Sequence, residues 1–346
     1  MDDRELHKLV ARYCDLVPWR VYAELALTGI LSWTAYVYLV VAPLDGRWLL
    51  CFGLGNILLY RGLSFSHEVV HLHRRLRWFR ALYNAMFGFP HRVPAYTLLP
   101  HRHHHSTKSY GTLDDPEYER WPDFSPWVLG RPLVSALFVP VFITLRLGVW
   151  PWVLLVLPRR VSEGTYRYAS TLVMNVRYRR PDMRDEQAEM RREDLLAASY
   201  FVAFCMVSAS LSLFWKAFAV WYLQAWCVTA VNTYRALIAH RYMAHRAPSA
   251  TRRAQVADAV TVEGSWLTSL WAPIGLRYHS THHYFPRVPY YNLAKAHALI
   301  KASVPPEHEY LRTIEPSFLA AARKFVAACK TAPVRAAAAS ETEREK

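Results

Sequence analysis

Residues 48–71 read WLLCFGLGNILLYRGLSFSHEVVH, and the architecture can be worked out from this segment. Trp48 to Tyr60 is apolar, and residues typical of helices continue to His71. A helix beginning at 48 and leaving the membrane near 66 can cross a hydrocarbon core of about 30 Å. His67 and His71 follow at positions i and i+4, so both lie on one face of that helix. The segment therefore predicts a membrane span over 48–66 that ends in a pair of metal-ligating side chains.

Three further apolar segments are predicted to cross the membrane, at 23–42, 195–214 and 217–238. The run 132–158 is also apolar, but it contains Pro140, Arg146 and Pro151 and is predicted to be interfacial or re-entrant. A fifth span there would put the histidine-rich halves of the chain on opposite faces. The predicted fold is an all-α integral membrane protein with four transmembrane helices and a cytoplasmic helical cap. It forms a single domain over 1–330, followed by a disordered tail over 331–346.

The charge distribution orients these spans. The chain has 42 Lys and Arg against 27 Asp and Glu, a net charge of +15. The two short connections at 45–47 and 215–216 hold one Arg and one Lys, whereas the basic residues between 74 and 192 lie on the other side. The positive-inside rule makes that side cytoplasmic. The chain is therefore predicted to be a multi-pass membrane protein, in the inner membrane if it is bacterial.

Composition excludes several other classes of protein. Hydrophobic residues make up 53% of the chain, which is too many for a disordered protein. The five cysteines form no CxxC pair, so neither a zinc ribbon nor a disulfide scaffold is indicated. Basic charge alone would allow nucleic-acid binding, but no binding motif is present and the predicted spans argue against it. The basic loop 159–194 is predicted to rest on anionic headgroups, or to be an ordinary solvated loop of mixed charge.

Histidines are numerous and clustered. There are 16 in the chain, and two HxxHH clusters follow the first pair, with a separate His240 at the end of the fourth predicted span. Nine imidazoles are too many for one ion and suit two metal ions with four or five nitrogens each. Spacing alone leaves iron, zinc or copper open. The predicted ligands are His67, His71, His101, His104, His105, His240, His279, His282 and His283.

The residues around these clusters resemble the membrane-bound fatty acid desaturase family, over roughly 20–300. HRHHHSTKSYGTLDDPEY, from 101 to 118, is similar to the second histidine box of that family. GLRYHSTHHYFPRVPYYNLAKAH, from 275 to 297, is similar to the third box of the bacterial acyl-lipid desaturases, and RALIAHRY, from 235 to 242, to the segment before it. The resemblance implies two iron ions, O2 as oxidant and desaturation of a lipid acyl chain.

Other residues are predicted to support the metal centre. Glu68, Asp114, Asp115 and Asn292 could orient ligand imidazoles through their free N–H groups, although a turn or capping role is as good an interpretation of the two aspartates. Alternatives to one of the nine ligands, or supporting residues, are His73, His91, His103, His245 and His297.

Electrons must come from a separate donor, because the chain has no GxGxxG motif and no cysteine cluster. A ferredoxin, rubredoxin or cytochrome is predicted to dock on the basic face at Arg179 and Arg180, which could instead bind a lipid headgroup.

Two other functions are compatible with the sequence. A hydroxylase or other oxygenase of the same family would act on an alkyl or other lipid-like substrate, and its product would gain one oxygen rather than lose two hydrogens. A histidine-rich divalent-metal transporter is the alternative from another class. It is disfavoured because its metal-binding residues belong at the bilayer midplane, whereas these histidines lie at the ends of the spans.

Overall fold

Long helices dominate the computed structural model, which describes residues 3–72, 74–89, 91–112, 114–117, 130–171, 178–180, 186–242 and 251–331. Helix α1 covers Asp3–Ala11, α2 Pro18–Val41, α3 Gly46–Leu72, α4 Phe79–Met86 and α5 Leu98–His104. Helix α6 covers Gly130–Ile143, α7 Trp150–Val153, α8 Arg159–Ala169, α9 Gln187–Ser210 and α10 Phe214–Ile238. The remaining helices are α11 Arg252–Asp258, α12 Thr268–Trp271, α13 His279–Tyr284, α14 Leu293–Ser303, α15 Glu309–Arg312 and α16 Phe318–Thr331.

Two tight connections, between α2 and α3 and between α9 and α10, meet at one end of the bundle. Asp45 caps α3, because its carboxylate accepts the backbone N–H of Trp48 at 2.9 Å. The Lys216 ammonium, at the start of α10, donates to the carbonyl of Ala42, at the end of α2, at 2.6 Å. Since α3 and α10 both begin here, their histidine-bearing ends lie together at the other end of the bundle.

Four helical segments in the described ranges are long and apolar enough to cross a membrane: Pro18–Val41, Gly46–Leu72, Leu133–Val153 and Gln187–Ser210. The third lies within 132–158, which the sequence predicts to be interfacial or re-entrant, and its length and apolar character would also permit a crossing. A π-helical turn over Thr144–Val149 joins α6 to α7 and keeps the helix continuous next to Pro151, which lacks an N–H. The predicted helix over 217–238 does form as the main part of α10, which is not among those four and contains Gln224, Asn232 and Arg235.

Charged side chains within the long helices face protein partners. Arg61 of α3, which the sequence analysis left in a predicted span, donates to Glu24 of α2 at 2.7 Å. Arg146 binds Asp194 of α9 at 2.7 Å, and both are buried. Tyr96 also donates to Asp194, at 2.5 Å. These contacts satisfy polar groups that would be costly to leave unpaired in lipid.

The described parts of 91–117 and 239–331, which we call the cap, cover the histidine-bearing ends of α3 and α10. The cap departs slightly from the all-α prediction, because β1 (Thr261–Val262) and β2 (Ile314–Glu315) pair in parallel. Helix α16 extends to Thr331, the first residue of the predicted tail, and 332–346 lie outside the described residues. The apolar core of the cap continues into α3 and α4 through the buried Phe65, Phe79 and Tyr83.

Candidate metal centre

Four segments supply the histidines of the site. His67 and His71 lie in the last turns of α3, and His240 follows α10 by two residues. Helix α5 and the residue after it carry the second cluster, and α13 carries the third. In both clusters the i, i+3, i+4 spacing puts three imidazoles on one helical face, so short helices are sufficient to aim them inward.

The nine predicted ligands converge in two adjacent groups. The nitrogen atoms in each group lie within 4.8 Å of one another. An imidazole nitrogen binds a metal ion at about 2.1 Å, so opposite ligands of one ion lie about 4.2 Å apart, and each group is close to the size of a single site. The five-histidine group contains His67, His71, His101, His105 and His282. The four-histidine group contains His104, His240, His279 and His283.

The two groups share a boundary. The rings of His105 and His283 stack across it with centroids 4.6 Å apart. His104 and His105 belong to different groups although they are neighbours in sequence, and so do His282 and His283. Each cluster therefore contributes to both groups, and two ions bound there would be neighbours.

Acceptors outside the groups fix the orientation of three imidazoles. Nδ1 of His101 lies 2.5 Å from a carboxylate oxygen of Glu117, and Nδ1 of His104 lies 3.0 Å from Asp115. Nδ1 of His240 lies 2.9 Å from the hydroxyl of Tyr110. An Nδ1–H that donates outward leaves Nε2 with a lone pair that points inward.

The inward-pointing Nε2 atoms lie close to other imidazole nitrogens and not to hydrogen-bond donors. Nε2 of His101 lies 2.8 Å from Nε2 of His71, and Nε2 of His240 lies 2.9 Å from Nε2 of His279. Both ring nitrogens of His105 are buried without a hydrogen-bond partner. Converging lone pairs and unpartnered buried nitrogens are what a bound cation would stabilise, so this set of donors fits metal ions.

Burial keeps most of these imidazoles neutral. It lowers the pKa of His105, His240, His279 and His283 well below the usual range, and neighbouring histidines add to the effect. Burial also acts on His104, but the Asp115 carboxylate outweighs it and raises the pKa. Metal ligation requires the neutral form of histidine, so the site is electrostatically prepared for a cation.

Comparison with known proteins agrees with this geometry. The sequence profile of the fatty acid desaturase family matches residues 46–315. The chain belongs to the fatty acid desaturase family. A ceramide hydroxylase of Caulobacter vibrioides is 30% identical over 316 residues, which cover 87% of this chain and 86% of that protein.

Some residues predicted to support the centre of this family member lie near it and others do not. Asp115 contacts His104, and Glu68 lies 3.4 Å from Nδ1 of His67. The Asp114 side chain is exposed, and its carbonyl oxygen lies 2.9 Å from Nδ1 of His103. The side-chain amide of Asn292 instead donates to the carbonyl of Tyr13 at 3.0 Å. The predicted orienting role is therefore wrong for Asn292 and for the Asp114 carboxylate.

The alternative ligands that the structure describes, His91, His103 and His297, lie outside both groups. His103 lies on another face of α5, and His297 binds Glu263 and Tyr310 at 3.0 and 2.6 Å. His91 is half-buried and belongs to neither group. His73 and His245 lie outside the described residues.

The two arginines predicted to dock an electron donor or a lipid headgroup, Arg179 and Arg180, differ in exposure. Arg179 is exposed, and its guanidinium lies over the Tyr168 ring. Arg180 is only 2% exposed, and it donates to the carbonyl of Tyr96 and the hydroxyl of Ser170. Arg180 therefore stabilises the protein interior, and the prediction that it docks a donor or headgroup is wrong.

Three supporting residues were missed by the sequence analysis: Glu117, Tyr110 and Asp258. The Tyr110 hydroxyl accepts from His240 and donates to Asp258 at 2.6 Å. Glu117 follows Asp115 by two residues, so the acidic run after the second box was a usable signal. Asp258 had no such signal, because 18 positions separate it from His240 and only the folded cap brings them together.

Proposed function

We propose that this chain is a membrane-bound, O2-dependent enzyme that hydroxylates the acyl chain of a lipid at a centre of two iron ions. The observation that supports it most directly is the convergence of nine imidazoles in two adjacent groups at one end of an apolar helix bundle. A site at the end of membrane-length helices is accessible to substrates that stay in the bilayer.

Each group would hold one iron ion through neutral nitrogens. Iron bound in this way supplies the redox chemistry that activates O2 for attack on an unactivated C–H bond. The chain holds the imidazoles in place through Glu117, Asp115 and Tyr110, and the burial of the site restricts the access of water. Hydroxylation replaces a C–H hydrogen with OH, and two electrons and two protons convert the other oxygen atom to water.

The ceramide hydroxylase similar to this chain favours hydroxylation, and it favours an N-acyl lipid as the substrate class. Desaturation is the second candidate, supported by the family to which the chain belongs. It would take two hydrogens from neighbouring carbons with the same electron demand. The two reactions differ in how the reacting carbon is held relative to the oxidant, which small changes in position can alter.

The remaining parts of the proposal concern orientation and electron supply. We assign the cap to the cytoplasmic side, because the basic segments of the chain lie there. A separate donor of the ferredoxin, rubredoxin or cytochrome type would deliver electrons to that side. Exposed Arg179 remains a candidate contact for an acidic donor.

Lipid mass spectrometry tests the proposal. Cells of a host that lacks the product would express the wild type, His283→Ala and the control His103→Ala, grown with isotopically labelled O2. We expect a lipid that gains one labelled oxygen atom with the wild type and His103→Ala, and not with His283→Ala. Loss of two hydrogens would select desaturation instead. A wild type that yields no oxidised lipid and carries exchangeable zinc rather than iron would contradict the proposal and favour transport.

A further inference from the structure

Arg235 and Tyr60 lie directly beneath the metal centre, on its membrane side. Arg235 precedes His240 by five residues at the end of α10, and Tyr60 precedes His67 by seven residues in α3. Seven residues of helix correspond to a rise of about 10 Å. The Tyr60 hydroxyl donates to the carbonyl of Trp271 at 2.9 Å, and its oxygen interacts with the guanidinium of Arg235. The pair is thus held between α3, α10 and α12 of the cap.

The guanidinium is close enough to act on the site. Burial is the main cause of the low pKa of His240, and the charges of His104 and Arg235 add to it. Burial opposes ionisation of Glu117, but His101, His104 and Arg235 together hold its pKa at about 2. Arg235 therefore lies on the membrane side of the histidines, one to two helical turns before His240.

Arg235 differs from Arg61 and Arg146, two other arginines in the long helices. Arg61 and Arg146 each bind a carboxylate at 2.7 Å. In the part of the chain that the structure describes, no carboxylate forms an ion pair with Arg235. Besides its interaction with Tyr60, its guanidinium donates to the side-chain oxygen of Asn232 at 3.1 Å. Nε of Arg235 is buried without a hydrogen-bond partner.

A half-buried guanidinium with an unsatisfied N–H lowers the stability of an apolar helix bundle, because the group has lost its hydration without gaining a hydrogen bond. Such a group is expected where an acceptor arrives from outside the chain. The side chain lies between the membrane-length helices and the two histidine groups, so that acceptor would belong to a molecule entering the site.

We infer that Arg235, held by Tyr60, binds an acceptor oxygen of the polar end of an acyl substrate, such as an amide carbonyl or a neighbouring hydroxyl. The inference rests on the proposed function and extends it to the part of the substrate that is recognised. With the polar end fixed at Arg235, the oxidised carbon is set by its distance from that end, not from the terminal methyl group. Acyl chains of different lengths are then oxidised at the same position counted from the carbonyl.

A purely structural role makes a different prediction. If Arg235 only balances the charge of Glu117, its loss weakens iron binding and leaves substrate preference unchanged. Binding measurements on the purified protein separate the two roles, because they do not require turnover.

The binding test uses the iron-loaded full chain in detergent micelles and follows tryptophan fluorescence. The probes are an N-acyl sphinganine and an n-alkane of the same chain length. We expect Arg235→Gln to weaken binding of the N-acyl lipid about 10- to 100-fold, as for loss of a charge-assisted hydrogen bond, and to leave alkane binding unchanged. Arg235→Lys keeps the charge but lacks the planar guanidinium with its paired N–H donors. Its affinity for the N-acyl lipid should therefore lie between those of the wild type and Arg235→Gln. Arg47→Gln, at the exposed far end of α3, is the matched control.

Product analysis provides the second arm. Wild type and Arg235→Lys would be supplied with N-acyl lipids of three chain lengths, and fragmentation would locate the oxidised carbon. We expect one position counted from the carbonyl in the wild type and a spread of positions in the variant. If Arg235→Gln does not fold, Tyr60→Phe releases the guanidinium and tests the same preference.

Equal affinity of the wild type and Arg235→Gln for the N-acyl lipid would overturn the inference, and so would a wild-type position of oxidation that stays constant when counted from the methyl end. Loss of iron with unchanged lipid affinity would also overturn it and assign Arg235 a structural role. Failure of the proposed function is a separate result, in which the wild type yields no oxidised lipid although its head-group preference can still be measured.

Discussion

The carboxylate of Glu117 lies 2.5 Å from Nδ1 of His101 and thereby aims Nε2 of that imidazole at His71, 2.8 Å away. Residues of this kind determine ligand orientation and basicity without touching the metal ion. The pKa of Glu117 falls to about 2, against the effect of burial, because imidazoles and Arg235 surround it. The carboxylate is therefore ionised at neutral pH and is a strong acceptor for the His101 N–H.

Glu117→Ala should weaken metal binding by about 10- to 100-fold, because His101 loses the acceptor that fixes its ring. Competition with a chelator, followed by measurement of iron per chain, would quantify the effect. Asp114→Ala is the matched control, since that carboxylate is exposed and lies in the same segment. Equal iron retention by both variants would argue against a supporting role for Glu117.

Tyr110→Phe should affect the four-histidine group selectively. The substitution removes the hydroxyl that joins His240 to Asp258 and leaves the ring packing unchanged. If each group holds one metal ion, we expect one ion per chain to be released at a chelator concentration that leaves the other ion bound. Simultaneous loss of both ions, or no loss, would contradict the assignment of Tyr110 to one group.

The buried ion pair between Arg146 and Asp194 should respond non-additively to substitution. Asp194→Leu alone leaves a buried guanidinium unpaired, for which about 3–5 kcal/mol of stability is typically lost. Arg146→Met with Asp194→Leu removes both charges and should recover much of that loss. Thermal unfolding in detergent of the two single variants and the double variant would measure the coupling. Additive losses would mean that the pair does not act as a unit.

Arg179→Glu tests the predicted donor surface. If an acidic donor docks at this exposed residue, charge reversal should slow turnover with the natural donor, most strongly at low salt, and should spare an artificial reductant. Arg47→Glu, at the far end of α3, controls for the change in net charge. Equal loss of turnover with both reductants would locate the defect in the protein itself and not at the docking surface.

The positions of the histidines on their helices could be predicted, because helix geometry determines which side chains share a face. The i, i+3, i+4 spacing in α5 and α13 determines which imidazoles share a face, and the apolar run before His67 determines where α3 ends. The resemblance to the desaturase family added iron and O2, which spacing could not select. The profile match to that family confirmed the resemblance.

The contacts between distant segments of the chain could not be predicted from the sequence. Asp258 reaches His240 through Tyr110, which comes from a third segment, and no periodicity predicts such a meeting. The basic character of Arg180 suggested a surface position, but the carbonyl of Tyr96 and the hydroxyl of Ser170 hold it inside. The composition of a loop gives the number of its charged residues. Which of them are exposed depends on how the loop packs in the folded protein.

The helix over 133–153 gives a topological prediction of its own. The sequence analysis places it at the interface, whereas its length and apolar character also permit a crossing. If it is interfacial, Gly130→Cys, in a chain without native cysteines, should be protected from an impermeant thiol reagent added outside intact cells. Gly46→Cys, beside the tight connection opposite the cap, should react, and Lys295→Cys, on the exposed surface of the cap, should be protected. A reactive Gly130→Cys would mean that the segment preceding α6 lies on the outer face, so α6 and α7 would cross the membrane. One additional crossing alone would put the histidine-rich halves of the chain on opposite faces, whereas the structure brings them together. A reactive Gly130→Cys would therefore also require a second additional crossing.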